Sequence, residues 1–465
     1  DNAYTKQPND FTQNIGNGSY STADSYVKQV WDGRYTGIRM CNQLLENIDR
    51  VPDLDPELKK RYIGEAKVLR AYSYYELYTK FGDIPYTTKV LSIKESMSIA
   101  RTAKATVIAN VLADLDEVIN GNYLPTSYDA DNKGRITRWA AMAIKAKIYL
   151  FEGNWTQVKN ITSTIMTEGG FKLFGSYAGL FEIANEYNSE VILDAQYRPT
   201  SREHQMMYVF LPPTLGGYSQ LSPLQELVDS YIMLDGKTIK ETGTSFDESH
   251  PYANRDPRLK ATVMYTGNSY TLADGTEVVI NCEKGEGKDG YGVGSDCSAT
   301  GYYIKKYWDN TYRATLYSGL NPILIRYADI LLMNAEALAE LGELDKTAWD
   351  ATIKPIRNRA GFTLASALEF PEGASKDKLI EIVRNERRSE LALEGHRHKD
   401  IIRWRIADNV LNGWCHGLKT NDVVGTDDGY VRVENRTFNA NRHYLWPIPQ
   451  AERDLNGNLE QNPNW

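Results

Sequence analysis

Glu386, Glu390 and Glu394 stand four residues apart, a spacing that lines three carboxylates along one helix face. Such a stripe could serve acid/base catalysis or could belong to a structural ion network, for which Arg384, Arg387, Arg388 and Arg403 are the nearest cations in sequence. The network reading is favoured, because no nucleophile or separate acid accompanies the stripe and like charges at this spacing destabilise a helix unless they are answered. Just beyond, Glu394, His396, His398 and Asp400 alternate with other residues. A spacing of two splays side chains around a helix, whereas helical zinc sites use a spacing of four, so no metal is expected there. Gly285, Gly287 and Gly290 satisfy G-x-G-x-x-G, but a dinucleotide site needs a helix to follow, and here comes Tyr291-GVGSDCSATG and then a strand pattern. Asp129 and Asp131 open like a calcium loop, yet the fifth position is Lys133 and the twelfth is Ala140, where a bidentate carboxylate is required. No Walker sequence, G-x-S-x-G or H-E-x-x-H occurs, and the six His form no recognisable triad, so neither a cofactor nor a catalytic residue is expected.

The side chains best suited to a ligand are aromatic: 31 Tyr and 9 Trp stand against only 11 Phe. Many fall between Gly169 and Pro322, interleaved with Asn, Asp, Gly and Ser rather than with Leu and Val. A sugar ring has an apolar C–H face and a rim of hydroxyls, so it calls for a flat ring flanked by Asn, Asp, Arg or Gln. The competing reading is that each Tyr is a packing residue with its hydroxyl in water, since Tyr is a favoured half-buried residue.

Helices must position these loops. Trp31, Tyr35, Ile38, Cys41, Leu45 and Ile48 recur with a helical period, and after the turn Pro52 to Pro56 a second stripe runs from Leu58 to Leu77 until Gly82. Residues 138–156 predict a helix closed by Gly153 with a new helix from Trp155 towards Glu168, and residues 326–345 repeat the pattern. In both, Ala precedes the closing Gly by seven residues (Ala146 and Gly153, Ala335 and Gly342), a small-residue spacing that lets helices approach as in tetratricopeptide-type hairpins. The fold class is therefore mainly α: about four irregular tetratricopeptide-like hairpins over 25–168 and 322–405, a loop-rich insertion with a few short strands over 169–321, and an extended C-terminal strap over 406–465. Pro447 and Pro449 keep that strap from being helical. Strands are expected within 190–198 and 301–309. Cys282 and Cys297 bracket a Gly-rich loop that a disulfide could close, and Cys41 lies on an apolar stripe as a packed thiol.

With 465 residues, 42% apolar and 25% charged, the chain is long enough for about three average domains or one large one and excludes wholesale disorder. A net charge of −8 argues against a nucleic-acid partner, which would call for a basic footprint. No apolar run of about 18 residues could span a bilayer. The chain opens at Asp1 without a signal h-region, so it is either cytoplasmic or processed.

Six blocks decide between these. Residues 41–49 (CNQLLENID), 64–85 (with its GDIP exit), 134–155, 325–339 (IRYADILLMNAEALA), 384–405 (RNERRSELALEGHRHKDIIRWR) and 444–463 together resemble, in order, the SusD/RagB-like outer-membrane nutrient-binding lipoproteins of the Bacteroidetes. The blocks span essentially the whole chain. The resemblance implies a single SusD-like domain over 1–465: a lipid-anchored, cell-surface protein that binds glycan without cleaving it and packs as a lid on a SusC-like TonB-dependent transporter. The anchoring cysteine is not in the sequence as given, so membrane attachment is an expectation from the family. His398 stands where members usually carry an aromatic residue.

The shared blocks are scaffold, so binding residues are chosen from composition. Trp308, Tyr312 and Tyr317 are expected as stacking platforms, with Asp309, Asn310 and Arg313 as hydroxyl partners. Tyr208, Tyr218 and Gln220 come second, and the stretch around Asn14, Asn17 and Tyr20 third. Two alternatives differ in kind: a helical-repeat adaptor that binds peptide or protein on its helices, and a glycoside-active enzyme drawing on carboxylates near aromatics.

Overall fold

Helices begin where the sequence offers an oxygen to the first unpaired amides. In the computed structural model, which describes residues 1–6 and 11–465 (Phe11 in its backbone only), Asp24 caps Ser25–Asn47, Asp55 caps Pro56–Phe81, Thr137 caps Arg138–Phe151 and Asn154 caps Trp155–Glu168. Gly82, Gly153 and Gly342 follow helix ends at positive φ, which a β-carbon would disfavour. The helical periods and end points read from the sequence are found, and the fold is mainly α.

The chain divides into two units. One comprises Gly18–Gly169, Lys399–Asn409 and Thr437–Trp465. Here Ser25–Asn47 packs on Pro56–Phe81, which packs on Lys104–Asn120, and Arg138–Phe151 packs on Trp155–Glu168. The C-terminal segment lies along these helices: Trp446 sits edge-on to Phe81, and Asn462 donates to the Phe81 and Trp446 carbonyls. Tyr20 belongs to this packing. At 4% exposure, against His443, Trp446 and Trp465, its ring has no open face, so it is a core residue rather than a ligand contact.

The other unit comprises Asp1–Asn17, Gly170–His398 and Val410–Arg436. Its strands are short: Val191–Asp194 pairs with Ile323–Arg326, Val263–Met264 with Tyr303–Ile304, and Ala3–Thr5 with Leu221–Pro223, all antiparallel. Gly413–Lys419, Tyr430–Arg436 and Thr426–Asp427 form a three-stranded sheet within the segment 406–465 expected as an extended strap. The strand expected over 301–309 ends at Ile304. Lys306 turns inward to the Ala392 carbonyl and Glu394, and Tyr307 reverses the chain at φ 71°. All four cysteines are free and buried; Cys297 Sγ donates to the Lys288 carbonyl instead of joining Cys282.

Helix Lys376–Glu390 carries the acidic stripe, and Glu394 lies beyond its end in a turn. The carboxylates are answered, but by other residues than those nearest in sequence. Arg326 reaches Glu190 at 2.7 Å, Glu390 at 2.6 Å and Glu394 at 2.7 Å; Arg258 reaches Glu386 at 2.7 Å, Glu390 at 2.9 Å and Asp256 at 2.7 Å. Arg357, Arg359 and Lys306 complete the set. Arg384, Arg387 and Arg388 leave the same helix in other directions, towards Glu340, Asp329 and Asp1, while Arg403 pairs with Asp400.

Removing one member of a fully buried ion network leaves an uncompensated charge, which costs about 3–5 kcal/mol, whereas an exposed pair contributes about 0–1 kcal/mol. Arg326→Met is therefore expected to lower stability by about 3–5 kcal/mol in urea melts. Lys378→Met, which breaks only the exposed pair with Glu381, should leave the melt within about 1 kcal/mol of the parent.

Candidate functional site

The structure separates the residues singled out for stacking. Trp308 is half-buried against Tyr270, its Nε1 donating to the Thr271 carbonyl at 3.2 Å, and Asn310 Nδ2 donates to the same oxygen at 2.9 Å. Both residues fasten the Ser269–Thr271 and Glu277–Val279 hairpin. Asp309 is 5% exposed and accepts from the Ile183 and Thr311 amides, and Arg313 donates to the Leu215 carbonyl. Tyr312, at 6% exposure, packs in the core with Met207, Leu211 and Leu316. A stacking platform needs an uncovered ring face, and Tyr312 has none.

Tyr317 and Tyr218 are exposed, and Tyr208 and Gln220 are half-buried beside them. Tyr208, on the short helix Met206–Phe210, and Tyr218 lie with ring centroids 4.3 Å apart, held by Tyr218 N–H donating to the Tyr208 carbonyl at 2.9 Å. Gln220 N–H donates to the Val209 carbonyl, and Gln205 Nε2 donates to the Tyr317 hydroxyl at 2.9 Å. Tyr218 and Tyr317 are 37% and 44% exposed. A side-chain hydrogen bond with the Tyr218 hydroxyl pushes the Tyr208 phenol up to about 12. These rings form a small, open aromatic surface.

A deeper feature of the same unit draws on residues that the sequence did not single out. A cavity of about 610 Å³ opens between the Gln225–Ser230 helix, the 246–255 segment, the Gly-rich turn around Glu283 and Glu286, the strand end and following residues Leu418–Asp422, and Tyr430 of the neighbouring strand. Tyr252 stacks on Tyr265 with centroids 4.0 Å apart and planes 17° apart. Behind it the polar groups are ordered in one direction: Tyr302 donates to Gln225 Oε1 at 2.6 Å, so the 3.2 Å contact between the two tyrosine hydroxyls has Tyr252 as donor. Gln225 Nε2 in turn donates to Asp229 at 2.7 Å. Burial raises the Asp229 carboxyl above its usual range, with Gln225 opposing. Arg255 is buried and spends its guanidinium on the Val228, Tyr231 and Pro251 carbonyls. Half-buried rings, an ordered relay and uncovered carboxylate oxygens in one concave place can bind a polyhydroxylated molecule.

The walls are clamped by His416. Its Nδ1 lies 2.8 Å from Glu226 on the helix and its Nε2 lies 3.0 Å from Asp427, which Arg432 also engages. Only the imidazolium has a proton for both carboxylates. Burial opposes that charge, but the hydrogen bonds to Asp427 and Glu226 outweigh it and raise the histidine above its usual pKa.

Residues 180–465 match the family model described as the SusD family, and residues 1–150 match a SusD-like model described as starch-binding and associating with the outer membrane. A SusD-like protein of Formosa agariphila is 28% identical over 409 residues, which cover 83% of this chain and 71% of the relative. A SusD-like carbohydrate binding protein from Bacteroides fragilis superposes with a TM-score of 0.87 at 29% identity, covering 99% of this chain and 91% of that one. A second SusD-like protein from the same species gives a TM-score of 0.85 at 27% identity, over 100% and 92%.

The clamp gives a pH signature. Because the folded pKa of His416 is raised, its contribution is complete below about pH 6.5, the unfolded value, and is lost as pH rises through the raised value. Urea melts should therefore show wild type more stable than His416→Gln at pH 6, with the difference shrinking at pH 9. An unchanged difference at both pH values would contradict the clamp.

Proposed function

Because this chain belongs to the SusD family, whose model covers residues 180–465, we propose that it captures oligo- or polysaccharide at the bacterial surface and passes it uncleaved to a SusC-like TonB-dependent transporter. The family binds carbohydrate without catalysis, and association with the outer membrane is part of its description. A lipid anchor facing the outside, and the transporter as partner, belong to the proposal. Copurification of the chain with a coexpressed transporter of that type is the measurement for the partner.

The observation that carries the reading is the 610 Å³ cavity, where Tyr252, Gln225 and Asp229 combine a ring, a fixed amide and a carboxylate. The surface of the exposed Tyr218 and Tyr317, with the half-buried Tyr208 beside them, is a secondary contact for a long chain. Affinity for one short oligosaccharide is expected to be weak, since a millimolar site corresponds to only about −4 kcal/mol and delivery requires release.

A second reading draws on a different place. The helical unit has its own cavity of about 480 Å³, lined by Trp31, Tyr35, Ile38, Pro85, Leu91 and Ile99, which suits an apolar peptide segment better than a sugar. The two readings separate by substitution. Tyr252→Ala should weaken glycan binding about two- to tenfold in calorimetry, the value of one aromatic contact, and Tyr317→Ala should weaken only the binding of long polymers. Peptide binding that both variants leave intact, with no glycan binding in the parent, would favour the helical cavity.

A further inference from the structure

We propose that the 610 Å³ cavity selects uncharged glycans and excludes sulfated and uronate-bearing ones, a specificity that rests on the glycan-binding reading above. The argument lies in which charged groups are already committed.

Three cations line the cavity; the guanidinium of Arg255 is committed to the protein, and the two lysines each face a carboxylate. Arg255 is bound to three backbone carbonyls and lies 5.5 Å from the centre of the Phe246 ring. Lys419 pairs with Glu248 at 3.2 Å, and Lys284 pairs with Asp422. None presents a free pair of N–H groups of the kind that recognises a sulfate or a carboxylate bidentately.

The acceptors are in the opposite condition. Asp229 receives one hydrogen bond, from Gln225, and feels Lys240 and Arg255 only at a distance. Glu283 and Glu286 stand exposed on the Gly-rich turn, and no cation pairs with either among the described residues. The lining holds five carboxylates (Asp229, Glu248, Glu283, Glu286, Asp422) and three cations, a difference of two negative charges. The chain as a whole carries −8.

A wall rich in uncommitted carboxylate oxygens needs donors from its ligand, and vicinal sugar hydroxyls supply them as charge-assisted hydrogen bonds. A sulfate or uronate brings only acceptors. It meets an excess of like charge, and each lysine on the wall already faces a carboxylate. The Tyr302 and Tyr252 hydroxyls do not change this balance, because the Tyr302 proton is given to Gln225 and the Tyr252 proton to Tyr302, and the Tyr430 hydroxyl can donate to either kind of glycan.

The test is an array of neutral polysaccharides (mannan, xyloglucan, laminarin, arabinan) and anionic ones (alginate, carrageenan, chondroitin sulfate, polygalacturonan), followed by calorimetry on the best binder and its sulfated derivative. Neutral glycans are expected to bind, with sulfation weakening affinity at least tenfold at low salt and less so at high salt. The triple variant Asp229→Asn, Glu283→Gln, Glu286→Gln keeps oxygen acceptors at the same positions and should narrow that ratio to within about threefold. Binding confined to anionic polymers, or a ratio that the triple variant leaves unchanged, overturns the specificity while leaving glycan capture standing. Silence across the whole array overturns both.

Discussion

Five carboxylates and five cations buried in one unit are the constraint around which its other elements are arranged. Glu190 precedes the strand Val191–Asp194, Arg326 ends the strand Ile323–Arg326, Glu390 ends the helix Lys376–Glu390, and Glu394 lies in the turn beyond it. The single guanidinium of Arg326 contacts all three glutamates, so a strand pair and a helix end are fixed by one planar group. Burial by itself would push Glu394 up, yet Arg326 and Lys306 hold its carboxyl down at about 2; Lys306, pushed down to about 8 by the same burial, is sustained by Glu394. Such a network adds little stability relative to an apolar core of equal volume. What it supplies is selectivity among packings, because any rearrangement that separates a member strands a charge in a dry interior.

The network reaches the cavity through four consecutive residues. Asp256 caps the helix Pro257–Thr262, and Arg258 ties that helix to Glu386 and Glu390. Arg255, three residues earlier, points the other way and binds the carbonyls that close the Gln225–Ser230 helix. The segment carrying Tyr252 is thereby fastened just beyond that residue, and the Tyr252–Tyr302–Gln225–Asp229 relay links it to the Gln225–Ser230 helix. Polar groups held in this way lose little freedom when a ligand arrives, which is how a shallow contact can be selective without being tight.

The scaffold was legible in the sequence because its signals are local. A stripe at helical spacing, a capping Asp or Thr and a Gly at positive φ each lie within a few residues of the element they define, and Gly153 and Gly342 mark their helix ends as read. The acidic stripe was legible too, but its partners were not: Arg258, Arg326 and Arg359 lie far from it in sequence, while the nearer Arg384, Arg387 and Arg388 project to other neighbours. Among the aromatics, Tyr218 and Tyr317 are exposed, whereas Tyr208 and Trp308 are half-buried against the Tyr270 core and Tyr312 lies within it. Composition cannot tell these apart, since a half-buried Tyr satisfied by a carbonyl and one facing solvent have the same neighbours in sequence. The cavity was invisible for a stronger reason. Gln225, Tyr252, Glu283, Tyr302 and Tyr430 share no motif or period and meet only after the chain has folded.

Capture and release make opposite demands on such a place, and the arrangement of rings bears on both. The Tyr252–Tyr265 pair covers one face of each ring with the other, so at most one face of Tyr252 can meet a ligand, and Tyr302 at 2% exposure contributes its hydroxyl but not its face. A single sugar therefore meets one partial platform and a few hydrogen bonds, each offset by the water it displaces. A polymer is different: once one residue is seated, neighbouring sugars meet other surfaces at high effective concentration, and the Tyr208–Tyr218 pair belongs to the same unit as the cavity. On the proposed reading, retention grows with chain length while every individual contact stays weak enough to break.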